Sequence, residues 1–259
     1  MAEQTVTRLS VTPVKGLTLH HPESIVLTEH GVPGDREFYL EDGTGRVQSC
    51  TRNRALYGLS SRFVDGVLEV TRGDEVLRRG TVEPALPVTS DFFGLHEVSG
   101  DTVTDEGWSG FFSELIGKDV RFLRARESAY DVEPVTLLGA SSIDELSRRS
   151  GVADIDPRRF RMLVDFEGGD PHVEDTWEGR LVRVGDALLR GGGPVQRCAA
   201  TTRDPDTGAI DLQTLRHIAA YRGRQDSVFG LGSNFGVYAT VVEPGTVRVG
   251  DHLDVVDET

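Results

Sequence analysis

At 259 residues the chain is long enough to bury a sizeable core in one large domain or two modest ones, and two are expected. Its 42 acidic against 28 basic residues leave a formal charge of −14, which repels phosphate backbones and anionic bilayers, so neither nucleic acid nor a membrane is expected as a partner. The sequence carries no leader-like basic and apolar opening and no apolar run of about eighteen residues, and a cytoplasmic location is expected.

Thirty glycines and eleven prolines, scattered along the chain, predict many short strands joined by tight turns. Thr5 to Val11 alternates apolar and polar residues as a strand does, and Pro13 ends it. Lys15-Gly16 falls in the turn that follows. Ser24 to Leu27 is a second strand, Gly31 to Asp35 a turn, Arg36 to Leu40 extended again, and Asp42-Gly43-Thr44-Gly45 a hairpin tip. Short strands are predicted at Leu56 to Phe63, Val67 to Val70, Val76 to Arg79 and Glu97 to Ser99, a spacing that suits a small barrel or sandwich. Trp108, Phe111, Phe112 and Leu115 recur at helical spacing, with Gly117 as the stop. After a strand at Val120 to Leu123, the charged stretch Arg124 to Ser128 marks a junction, giving one domain over 1–125 and another over 126–259.

The second half opens with a strand at Val135 to Leu138 and a helix from Ser142, whose hydroxyl and Glu145 match a capping box. Ser141 and Ser142 are read as caps, since no nucleophile-elbow pattern surrounds them. Arg158 to Phe166 runs a basic cluster into an apolar strand. Strands follow at Leu181 to Val184 and Ala187 to Arg190, then Gly191-Gly192-Gly193 leads toward Cys198. Leu212, Leu215, Ile218 and Ala219 share a helix face, Arg222 to Gly232 is a polar loop, and strands at Phe235 to Val242, Val247 to Val249 and His252 to Val256 close the chain. The fold class is therefore β-rich α+β, a small β-barrel-like domain followed by a second β-barrel with a few helices.

Cys50 and Cys198 are too few for a disulfide framework, a zinc site or an iron–sulfur cluster, and neither haem nor flavin is expected. Seven histidines with only one adjacent pair, His20-His21, make a zinc or non-haem iron site unexpected. Cys198 follows Arg197, and a neighbouring guanidinium favours the thiolate, the form that attacks electrophiles or binds soft metals. An inert core thiol is the alternative, as it is for Cys50. Lys15, Arg36, Arg159, Arg161 and Arg197 stand at strand ends and either converge on a phosphate-bearing anion or serve as separate surface charges. Trp177 is read as a core anchor.

Asp175-x-Trp177, Val184-Gly185-Asp186, Pro194-x-x-Arg197-Cys198-x-x-Thr201-Thr202-x-Asp204-Pro205-Asp206-Thr207-Gly208 and Pro244-Gly245-Thr246-x-x-Val249-Gly250-Asp251 resemble the MOSC domain. Pro13-Val14-Lys15 and Gly34-Asp35-Arg36-x-Phe38 are similar to the β-barrel domain that precedes it in many relatives. The resemblance implies a molybdenum pyranopterin between the two domains, with Cys198 as metal ligand and catalytic residue. It places Lys15, Gly16, Arg36 and Arg161 on the cofactor's phosphate or pterin and Gln196 and Arg197 beside the metal. It also implies reduction of small N-hydroxylated or N-oxide substrates, with electrons from a separate donor protein. Alternatives are sulfur transfer through a persulfide on Cys198 and a non-catalytic cofactor carrier. Three positions depart from the family pattern: Gly16 replaces a serine, Met162-Leu163 a Pro-Asn pair, and Val195 a companion cysteine.

Overall fold

In the computed structural model, which describes residues 3–104 and 106–256, the alternating apolar pattern of the second half closes into a seven-stranded barrel. Around it run Gln4–Leu9, Val164–Glu167, Val135–Gly139, Asn234–Glu243, Ala187–Gln196, Leu181–Val184 and His252–Val256. Val6, Leu9, Val164, Phe166, Trp177, Val182 and Leu189 fill it, each nearly water-free. One barrel strand is the chain's first. Gln4–Leu9 pairs antiparallel with both Val164–Glu167 and His252–Val256, and Ser24–Leu27 pairs with Gly245–Arg248. The two halves are thus sewn together by backbone, and Lys15, six residues beyond the first strand, is held where they meet.

The remaining N-terminal strands form a five-stranded sheet and a three-stranded meander. The sheet is ordered Val47–Gln48, Phe38–Asp42, Val120–Ala125, His96–Val103 and Pro84–Phe92. Phe38 stacks on Phe122 at 5.3 Å, and the helix Glu106–Ile116 brings Phe112 to 5.1 Å from the same ring, so the helical spacing read from the sequence buries its aromatic stripe here. Stacked or edge-on aromatic rings bury large areas and fix their neighbours' geometry. The β-rich α+β class holds, with three α-helices among the described residues.

Several local expectations are corrected. The helix predicted from Ser142 spans Ala140–Ser150 and starts directly on the Val135–Gly139 strand. Its Ser142 hydroxyl does not cap: it donates to the Glu174 carboxylate at 2.8 and 3.0 Å, while Glu145 pairs with Arg148 and Arg149. Glu174 also accepts from Gly139 N at 3.4 Å, so a carboxylate from elsewhere in the chain serves the helix start. Ser141 donates to the Asp170 carbonyl. The strand Pro84–Phe92 is absent from the predicted elements; it carries Pro84 and Pro87 and lies on the sheet edge, where proline is tolerated. The triple glycine is strand interior, within Ala187–Gln196. A Cβ at Gly191 would fall on the Trp177 carbonyl, so glycine lets this strand approach the backbone before the cysteine. Arg36 is not extended but left-handed at φ +50°, and the strand begins at Phe38. The run from Arg158 is likewise a 3-10 turn, Pro157–Phe160, then Arg161 at φ +55°, before the strand Val164–Glu167.

Candidate functional site

Where the halves meet there is a cavity of about 370 Å³, within the range of small-molecule and cofactor sites. Lys15, Gly16, Arg36, Arg161, Gln196, Arg197 and Cys198 all lie in its wall. Arg159 lies there too, so the five basic residues scattered along the sequence converge on one space.

Cys198 sits at the end of the Ala187–Gln196 strand, immediately before the 3-10 turn Ala199–Thr202. Thr201 closes that turn by donating its N–H and hydroxyl to the Cys198 carbonyl at 3.2 and 3.0 Å. Downstream, Asp204 accepts from Thr207 N and Thr207 Oγ1, both at 2.7 Å, so the Asp-Pro-Asp-Thr-Gly stretch is a turn that braces the cysteine loop. Arg159 braces it from below. Its guanidinium, 7 % exposed, donates to the Thr201 and Arg203 carbonyls and to the Asp211 carboxylate. With its backbone held, Cys198 keeps its thiol exposed, and Thr51 Oγ1 from the other half lies 3.5 Å from Sγ. Cys50, by contrast, is buried within the N-terminal core.

The cations are built in rather than left on the surface. Lys15, 6 % exposed, donates from Nζ to the Ala129 carbonyl at 2.7 Å and pairs with Asp131. Burial pulls its pKa down, Arg36 and Arg161 add to that, and Asp131 opposes them. Asp131 in turn is held below the ordinary carboxylate value: its partial burial works the other way, but Lys15, Arg36 and Arg161 outweigh it. Arg36 pairs with buried Asp35 and donates from Nη2 to the Arg161 carbonyl at 3.3 Å; Arg161 donates from its own Nη2 to the Leu17 carbonyl at 2.7 Å. Each arginine therefore crosses to the opposite half. Left-handed backbone at a residue with a side chain costs about 1–2 kcal/mol, and such strain concentrates at functional sites; both of these arginines carry it.

Arg197 donates to the Phe160 carbonyl, to Phe235 O at 3.4 Å and to Met162 Sδ at 3.3 Å, and its Nε is buried without a partner. Burial lowers its pKa. Met162, where the family pattern has proline, thus supplies an acceptor, while Leu163 and Val195 are core residues. Gln196 Oε1 accepts from Ser227 Oγ at 2.7 Å, tying the cysteine strand to the 222–232 loop. Gly16 has φ +94°, and a Cβ there would stand 3.1 Å from Cys50 N and 3.2 Å from Ser49 Cα; the family's serine would be strained on this backbone and tight against its neighbours. The sequence does not single out Thr51, Tyr130, Asp131, Tyr238, Phe93 or Phe229, which also line the cavity. Asp131 and Tyr130 follow the charged junction closely, a polar and aromatic pair that offers the one available signal.

Comparison with known proteins agrees with this architecture. The profile described as MOSC domain matches residues 125–254, and that described as MOSC N-terminal beta barrel domain matches residues 3–119. The human mitochondrial amidoxime-reducing component 1 is 31 % identical over 125 residues, 47 % of this chain and 36 % of that protein. The rat mitochondrial amidoxime reducing component 2 is 34 % identical over 135 residues, 50 % of this chain and 39 % of that protein. The chain therefore matches less than two fifths of the length of these curated relatives. Among solved structures, the YUAD protein from Bacillus subtilis is 14 % identical, with a TM-score of 0.46 over 100 % of both chains. With one profile on each half, the chain belongs to the MOSC domain family and carries the family's N-terminal β-barrel domain ahead of its MOSC domain.

Proposed function

We propose that this chain is a molybdenum-cofactor-dependent reductase of small N-hydroxylated or N-oxide compounds. One observation carries the reading: an exposed cysteine sulfur and the cations Lys15, Arg36, Arg161 and Arg197 share one cavity at the junction of the halves. The names of the amidoxime-reducing relatives support the substrate class.

The residues present fit such a cofactor. A thiolate is a soft donor suited to a redox metal. Cys198 presents its sulfur from a braced turn, and Thr51 stands ready to hydrogen-bond it. Lys15, Arg36 and Arg161 would neutralise a phosphate, and the buried, unpartnered Arg197 Nε is a donor in want of an acceptor. When bound, the cofactor would supply two-electron chemistry, by which an N-hydroxyl group, two electrons and two protons give N–H and water, and an N-oxide with the same electrons and protons gives the free amine and water. The chain's own part is to hold the anion, fix the sulfur and set the field. Asp131 opposes the burial that lowers the Lys15 pKa, and Asp35 opposes burial at Arg36, whose pKa is raised. Electrons would come from a separate donor protein.

Expression in a cofactor-competent host should give about one molybdenum per chain, with Cys198→Ser losing most of it, as elemental and pterin analysis of freshly purified protein would read. Protein free of both metal and pterin overturns the proposal. A persulfide mass increment on Cys198 without metal would replace it with sulfur transfer, and stoichiometric pterin without turnover with it a carrier.

A further inference from the structure

Two rings at the cavity have no part in holding an anion. Phe93 is 50 % and Phe229 37 % exposed, both line the cavity, and their centroids lie 6.0 Å apart at an interplanar angle of 78°. They come from opposite halves of the chain: Phe93 from the turn between Pro84–Phe92 and His96–Val103, Phe229 from the 222–232 loop. Exposed aromatic surface beside a pocket marks a recognition site more often than a packing fault.

Both rings are carried by tight turns at the cavity rim. Phe93 has φ +64° and is followed by Gly94 at φ +74°. A bulky side chain in that region is an outlier; asparagine or glycine fits there without strain. The strain holds a phenyl ring on the cavity wall, with the buried Phe92 ring behind it at 6.0 Å. Phe229 lies in a turn closed by Ser227 N to Gly230 O at 3.1 Å and Gly230 N to Ser227 O at 2.9 Å. The same Ser227 donates its hydroxyl to Gln196, two residues before Cys198. That hydrogen bond fixes the ring's turn to the strand that carries the thiol.

We propose that Phe93 and Phe229 form an edge-to-face aromatic clamp, one contact surface at the cavity, that selects N-oxygenated substrates bearing a planar aromatic group. The aryl group would lie against the exposed surface of this edge-to-face pair, with the N–O end directed into the cavity. The clamp rests on the reductase reading and narrows its substrate class. Two rings contributed by two halves also make the clamp dependent on the junction being assembled.

The test compares kcat/KM for an aryl amidoxime and a straight-chain alkyl amidoxime of similar size, using molybdenum-loaded protein. Wild type is set beside Phe93→Asn, Phe229→Ala and Phe229→Tyr. Asparagine suits the left-handed backbone at the first position, so loss of the ring is separated from loss of fold, which thermal midpoints would verify. An aromatic contact of this kind corresponds to about 3- to 10-fold in affinity. The aryl-to-alkyl ratio is expected to fall about that much in Phe93→Asn and in Phe229→Ala, mainly through KM, and to be kept by Phe229→Tyr. Turnover without aryl preference in wild type, or equal losses for both substrates, overturns the clamp while leaving the reductase reading standing. No turnover of either substrate overturns the reductase reading. The clamp is then decided by calorimetric binding of an aryl amidine, which should weaken in both ring-removing variants and overturns the clamp if it does not.

Discussion

Glu174 offers a quantitative test of how the second half is held together. Its side chain is fully buried, bonded to Ser142 and Gly139, and burial pushes its pKa up to about 7 from an ordinary 4.5. A displacement of that size corresponds to about 3 kcal/mol. Between about pH 4.5 and 7 the folded chain keeps a proton on Glu174 that the unfolded chain has released, so stability falls as pH rises through this window. The contribution is complete below the lower value and gone above the upper. His172, two residues away, works in the opposite sense: burial holds it down at about 4, so its contribution is present above pH 6.5 and lost as pH falls through 4. The two slopes partly cancel in the wild type. Glu174→Gln keeps the shape and an oxygen acceptor but cannot ionise, so the difference between variant and wild type isolates Glu174. That difference, from urea unfolding midpoints, should move by about 3 kcal/mol in the variant's favour between pH 4.5 and pH 8. A difference that stays constant across this range would refute the buried-carboxyl account.

Gly16→Ser restores the family's residue but should destabilise the chain by about 1–2 kcal/mol, read as a drop of a few degrees in thermal midpoint, because its φ is +94° and its Cβ would press on Ser49 and Cys50. Asp131→Asn removes the carboxylate that opposes the burial of Lys15. Because Asp131 is 52 % exposed the fold should survive, but Lys15 should lose its proton at lower pH. Cofactor retention, followed as molybdenum left after dialysis, should therefore fail earlier on raising the pH than in wild type. Identical retention profiles would show that Lys15 does not hold the anion.

Elements of regular period are legible in the sequence, and those set by tertiary contact are not. Strands such as Leu181–Val184 and the aromatic helix stripe announce themselves because their periodicity is their burial pattern. The start of the helix at Ala140–Ser150 is misread because a capping box is a local signal, whereas its N-terminal turn is served by Glu174, more than thirty residues downstream. The Pro84–Phe92 strand is hidden because its prolines are permitted only by its place at an edge, which no local pattern states. The cysteine block is legible as a motif. What the motif does not contain is Thr51, Asp131, Phe93 and Phe229, which approach the cavity from distant parts of the chain and carry no shared spacing.

Charge is distributed differently over the whole chain and within the cavity. A net charge of −14 speaks against a polyanion, which would meet the whole surface, yet the cavity gathers Lys15, Arg36, Arg161 and Arg197. The two statements act at different ranges. Exposed charges beyond about 8 Å are screened at physiological salt, whereas cations walled by protein keep their field and focus it on the opening. A small phosphate-bearing ligand inside the cavity feels the nearby guanidinium and ammonium groups far more than the distant carboxylates. Gathering cations in a recess has its own cost: burial lowers the pKa values of Lys15 and Arg197, and at Lys15 the neighbouring Arg36 and Arg161 lower it further. Asp131 and Asp35 offset part of it, and an anion seated among the cations would offset more. An acidic surface with a basic recess thus disfavours extended polyanions and favours one compact anion, as the proposed cofactor would be.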